Sequence, residues 1–205
     1  MKLKHIVLSA FMLTLLATSC TKEFVNPNAA TKDQVLKSAD GLMGLVVGTK
    51  QQFAVGGTSA LYSAVICNGL STKEMTVLNT GNGDLAAVEA GKGTLGTASS
   101  IVNNIWTSCN LTKANGQLLI DNASVVTDAG TASGIRAYGL FFKALAIGTQ
   151  ALYWEQVPTE VISAADYIGG KRTSFKPRAE ALAEAIQLLK DADAAIKGTD
   201  RKSVV

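Results

Sequence analysis

The sequence predicts an all-α fold, and three observations point that way. Apolar residues recur at intervals of three and four along several stretches, the spacing of one helix face. Strand-like patterning is nearly absent, with Met75–Leu78 as the one short candidate. Small residues crowd the helical stretches, as at Ala179, Ala181, Ala183 and Ala185, then Ala192, Ala194 and Ala195. They permit the close approach found in helix-pair repeats. No self-repeat of about 34 residues is visible, so the expected tetratricopeptide-like pairs are degenerate and joined by long, unequal loops.

The chain opens with an address. Lys2 and Lys4 precede an apolar run from Ile6 to Ala17, and the small residues Ala17-Thr18-Ser19 follow it. This is the layout of a secretory signal peptide over residues 1–19. The run falls short of the about 20 apolar residues that a membrane-spanning helix needs. Cleavage after Ser19 leaves Cys20 first, an arrangement that resembles the lipobox of bacterial lipoproteins, with Ala17 where that motif prefers leucine. The plainer alternative is an ordinary signal with Cys20 incidental. On the lipobox reading Cys20 is the lipidation site, and several acyl chains, at about 0.8 kcal/mol per buried CH₂, hold the protein permanently. Residues 20–34 then read as lipidated cysteine and tether, polar and broken by Asn26-Pro27-Asn28.

Residues 35–205 form the remaining domain. Ser38 to Phe53 carries Leu42, Leu45, Val46 and Phe53 at mostly helical spacing and stops before Gly56-Gly57. Ala60 to Leu70 reads as a second helix, and the Gly- and Thr-rich Glu74 to Gly96 as mostly loop. Ser99 to Leu119 is helical, with Val102, Ile105, Trp106, Cys109 and Leu119 inward. The clearest helix runs from Thr131 to Trp154, where Ile135, Tyr138, Phe142, Leu145, Thr149 and Leu152 form one stripe. Asp128 or Thr131 caps it, and Pro158 stops any simple continuation. Tyr153 to Lys176 is a connection bearing Trp154, Tyr167 and Gly169-Gly170. A last helix, Pro177 to Lys197, opens with proline and turns Leu182, Ile186, Leu189 and Ile196 inward before Gly198. Only Thr199–Val205 remain, without the cap that helix arrays carry, so a truncated product is expected.

Composition excludes several chemistries. The 19 basic residues, less Lys2 and Lys4, stand at 17 against 16 acidic ones, too balanced for a nucleic-acid partner. His5 is the single histidine and lies in the leader. A mature chain without histidine builds no Ser-His-Asp or Cys-His site and no His-ligated zinc, and neither metal nor cofactor is expected. Cys67 and Cys109 either pair as a disulfide or stay as buried free thiols; the compartment allows both.

Gly81-Asn82-Gly83-Asp84-Leu85-Ala86 fits a loose dinucleotide pattern, yet no acid stands about 20 positions on, where Ile101–Ile105 fall. Ala90–Thr94 mimics a phosphate loop but lacks its first glycine and its Lys-Thr pair. Glu155, Glu160 and Asp166 flank an aromatic-bearing loop and could serve as an acid/base pair, although solvated loop charges are the commoner reading. The acids of the last helix read as its wet face. Tyr138, Phe141, Phe142 and Trp106 read as core. Trp154, Tyr167 and Tyr62 are left as the ligand candidates, since sugar rings stack their C–H faces on aromatic side chains and Glu155-Gln156 beside Trp154 can bond hydroxyls.

Several motifs then converge. They are the leader ending Ser19-Cys20, Asn104-Ile105-Trp106 with Thr112-Lys113-Ala114-Asn115, and Gly134-Ile135-Arg136-Ala137-Tyr138. Phe142–Gly148 running to Trp154-Glu155-Gln156-Val157-Pro158 follows, then Pro177-Arg178-Ala179-Glu180 and Leu189–Ile196. In order and spacing the chain resembles the N-terminal portion of the SusD/RagB-like outer-membrane lipoproteins of Bacteroidetes. The resemblance implies a helical fold of tetratricopeptide-like pairs and a surface-exposed, lipid-anchored protein of the outer membrane. It also implies capture of glycans or other nutrients for a SusC-like TonB-dependent transporter, without catalysis. A helical-repeat lipoprotein scaffold that binds proteins is the alternative.

Overall fold

The computed structural model describes residues 30–79, 81–91, 95–96 and 99–198. Cys20, the leader, most of the tether and Thr199–Val205 lie outside these residues. Contacts divide the chain after Thr31, and the unit from Lys32 onward holds every element below. The fold is all-α: helices dominate and two short strands accompany them.

α1 is Lys32–Leu36, so the end of the expected tether is helical. α2, Ala39–Ala54, follows a Ser38 cap whose side chain accepts from Gly41 N, satisfying one of the free N–H groups of the first turn. α3, Ala60–Ser71, is capped by Ser59 in the same way. α4, Gly83–Ala90, is a helix inside the stretch Glu74 to Gly96, expected to be mostly loop. The Asn82 side chain accepts from Leu85 N and turns an apparent Gly-Asn-Gly breaker into a helix start. The dinucleotide-like motif covers the cap and first turn of this helix, and no strand precedes it among the described residues. Met75–Leu78 is irregular rather than a strand.

α5, Ser100–Asn122, passes through a 3₁₀ turn at Ala123–Val125 into α6, Ala129–Tyr153. Asp128 caps α6, its carboxylate accepting from Thr131 N at 2.7 Å. The chain then runs through β1, Gln156–Pro158, α7, Ala164–Ile168, and β2, Phe175–Pro177, into α8, Arg178–Lys197. β1 and β2 pair antiparallel, with Val157 opposite Lys176. This ribbon pins both ends of the connection, and the Arg178 N–H donating to Glu155 O at 2.9 Å tightens it.

α6 is the central helix, flanked by α5 and α8. Its contact with α5 is at backbone level. A Cβ on Gly116 would stand 2.7 Å from Gly139 O, and one on Gly139 would stand 2.7 Å from Gly116 O. Its contact with α8 runs through Ala144, Ile147 and Ala151 against Ala181 and Ala185. Burial on two sides overturns the single expected stripe: Ile135 and Phe142 are buried, but Tyr138 and Leu152 face solvent, as does Phe141. The face of α8 is likewise corrected. Ala181, Ala185 and Ala192 turn inward, while Ile186, Leu189 and Ile196 lie 54, 44 and 55% exposed. Ser108 ties α5 to the first helices, donating to Gln52 O at 2.8 Å and accepting from Ala60 N at 3.1 Å.

Candidate functional site

A site emerges where the connection between α6 and α8 folds back on α5. Trp106 is half-buried rather than core as expected. It projects beside Asn110, Lys113 and Gln117, which recur at helical spacing along one edge of α5. The end of α6 supplies Trp154, whose ring centroid lies 5.0 Å from that of Trp106, edge to face. β2 supplies Phe175, stacked parallel to Trp106 at 6.3 Å and 53% exposed. These distances are those of favourable aromatic pairs. Residues far apart in sequence thus form one aromatic wall, and the β1–β2 pairing is what brings Phe175 to it.

Open clefts lie along this wall. One of about 610 Å³ is bounded by Trp106, Trp154 and Phe175, with Asn103 and Gln156 as polar partners. A second, of about 580 Å³, shares Trp106 and Phe175 and adds Asn110, Lys113, Tyr167 and Arg172. A third, of about 390 Å³, shares Glu160 with the second and is lined by charge, including Lys143, Lys176 and Glu184. Each falls in the size range of small-molecule sites. Shared walls make them successive stations along one edge of the domain.

The charged groups are mutually organised. Lys176 pairs with Glu184 at 2.6 Å, and Lys143 donates to Gln117 Oε1 at 2.8 Å. Burial works against ionising Glu184, but hydrogen bonds from Lys176 and Thr159 and the nearby Lys176 and Lys143 charges outweigh it and hold its carboxyl below the usual range. Lys113 is 3% exposed and donates to Pro158 O. Burial drives its ammonium down to about 8, the Cys109 thiol opposes that, and the Lys143 charge adds to it. Burial pushes Cys109 itself up to about 12.

Of the residues singled out from sequence, Trp154 lines the first cleft and Tyr167 the second, whereas Tyr62, exposed on α3, lines none of the three. Cys67 and Cys109 are buried free thiols, one of the two alternatives left open. Glu155 pairs with Arg178 at 2.9 Å, Glu160 with Lys171 at 2.7 Å, and Asp166 accepts from Ser163. No group of acids, histidines or cysteines among the described residues could hold a metal ion. Phe175, Arg172 and the cleft role of Lys113 were not foreseen. A usable signal was present in Trp106-Asn110-Lys113-Gln117, a polar and aromatic stripe beside the apolar one. The chain matches no model of a known family, no curated protein and no solved structure.

Proposed function

We propose that this chain is a non-catalytic binding protein for glycans, oligosaccharides or similar chain-like nutrients. The Trp106–Trp154–Phe175 wall, shared between two open clefts, is the observation that carries this reading. Ring faces suit the apolar faces of sugars, and Asn103, Asn110 and Gln156 stand beside them to bond hydroxyls. Successive clefts suit a chain of units better than a single small molecule. Glu155, Glu160 and Asp166 are each engaged by a neighbour, which favours holding over hydrolysis.

The same reading makes the protein a SusD/RagB-like lipoprotein, anchored through Cys20 at the outer membrane and facing outward. It would pass its cargo to a SusC-like TonB-dependent transporter, and its helices would be paired in the tetratricopeptide manner, α5 with α6 through Gly116 and Gly139. Both tryptophans of the chain sit in the wall, so intrinsic fluorescence reports the site directly. Titration with oligosaccharides should shift or quench emission saturably, and Phe175→Ala should weaken binding about tenfold. No response to any oligosaccharide tested would overturn the binding role. Cys20→Ala should abolish incorporation of labelled palmitate; retained label would overturn the anchor. A second reading, a scaffold that binds proteins, draws on the exposed aliphatic row Ile186, Leu189 and Ile196. Co-purification separates the two, since the first requires a large barrel transporter as partner.

A further inference from the structure

The middle cleft holds more positive charge than neutral sugar binding needs. Lys113 lines it, and its ammonium has a backbone carbonyl as hydrogen-bond partner, with no carboxylate at ion-pair distance among the described residues. A buried cation without a counter-anion is costly to keep. Arg172 lines the same cleft. Its guanidinium lies 4.5 Å from the centroid of the Tyr167 ring and donates to the Tyr167 and Lys171 carbonyls, each at 3.0 Å. Among the described residues it too meets no carboxylate. Glu160 is the acid on this wall, and Lys171 already neutralises it at 2.7 Å. Glu184 also acts on Lys113 but is taken up by Lys176 at 2.6 Å.

Two cations without anions therefore stand beside two aromatic rings. Resting on the oligosaccharide reading above, we propose that the middle cleft receives an anionic sugar unit. Its ring, bearing a carboxylate or sulfate, lies against Trp106 and Phe175 while Lys113 and Arg172 take the anion. Arg172 offers the planar donor fork that suits a carboxylate or sulfate, and Lys113 supplies charge from the floor. Neutral chains occupy the same wall without that contribution and bind less well.

The test is tryptophan fluorescence titration of the purified protein with two panels of tetrasaccharides. One panel is anionic: oligogalacturonate, oligoalginate and a chondroitin sulfate fragment. The other is neutral: malto-, cello- and xylo-tetraose, with methyl-esterified oligogalacturonate as the charge-free match. The expected result is at least one anionic chain binding about tenfold or more tighter than every neutral one, with affinity falling as salt is added. Lys113→Met and Arg172→Gln should each remove most of that preference, bringing the affinity for the anionic chain down toward that of its neutral match. Arg172 sits on an exposed connection, so its variant tests the preference without touching a buried position. Neutral chains binding as tightly as the best anionic one, or an anionic preference that survives both substitutions, would overturn the proposal and leave the oligosaccharide role standing. Silence from both panels would instead remove the oligosaccharide role itself.

Discussion

Helix α5 is packed in two opposite ways along its length. Near its C-terminal half, Gly116 meets Gly139 with no side chain between the backbones. On another face Trp106 and Lys113 reach out to rings and a carbonyl delivered by the α6–α8 connection. The first contact depends on atoms that are absent, the second on long side chains. Backbone contact leaves no room to vary, so it sets the geometry of the bundle. The long side chains can be cut back without moving a helix, so that region is where binding can be tuned.

The largest effect should come from breaking the first contact. In Gly139→Val the new Cβ falls 2.7 Å from a backbone carbonyl and about as close to the fully buried Leu119 and the partly buried Ile120. Neither helix can yield locally, so α5 and α6 must separate. A loss of about 3 kcal/mol or more is expected in denaturant unfolding, at the upper end of overpacking. A near-neutral result would show that the glycine contact does not fix the bundle.

Lys113 sharpens the comparison from the other side. Burial lowers its pKa from 10.5 to about 8, so its protonated form is penalised in the folded state only. Below pH 8 both states carry the proton and the penalty is felt in full. As pH rises from about 8 to 10.5 the folded lysine is neutral while the unfolded one remains charged, so stability increases, by at most about 3 kcal/mol. Lys113→Met removes the charge at all pH values. It should be more stable than the parent at pH 7, lose this alkaline gain, and bind anionic sugars worse. The difference in unfolding free energy between parent and variant, followed from pH 7 to 10.5, checks the sign.

The two regions were unequally legible in the sequence. Helical spans follow from local spacing and caps, and Asp128 was readable as a cap because its reach is three residues. Faces were harder. Taking large residues as inward put Ile186, Leu189 and Ile196 in the core, yet close helix approach buries Ala181, Ala185 and Ala192 and turns the bulk outward. α6 inverts the rule again, because a helix buried on two sides has no single stripe. The site was legible only in pieces. Trp154 and Tyr167 stood out by composition in a loop. Trp106 passed for core, and nothing local marks Phe175 as its neighbour, since pairing of Val157 with Lys176 makes that contact.

Smaller effects test whether polarity at depth belongs to the site or merely burdens the bundle. Gln150 is fully buried in α6, and among the described residues neither its Oε1 nor its Nε2 has a hydrogen-bond partner. Each unmet polar group costs about 1–3 kcal/mol, so Gln150→Met should stabilise by about 1–2 kcal/mol without changing sugar binding. A drop in affinity would instead connect this residue to the clefts.

The smallest change isolates what the Gly116–Gly139 contact adds beyond glycine itself. Gly48 lies in α2 with nothing within 4 Å of an added Cβ. Gly48→Ala therefore removes only the backbone freedom of the unfolded chain and should stabilise by about 0.5–1 kcal/mol in denaturant unfolding. Glycine is thus a cost at one helical position and a requirement at another, and the two variants should shift the midpoint in opposite directions. If both shifted it the same way, the distinction would lie in the unfolded state rather than in helix contact.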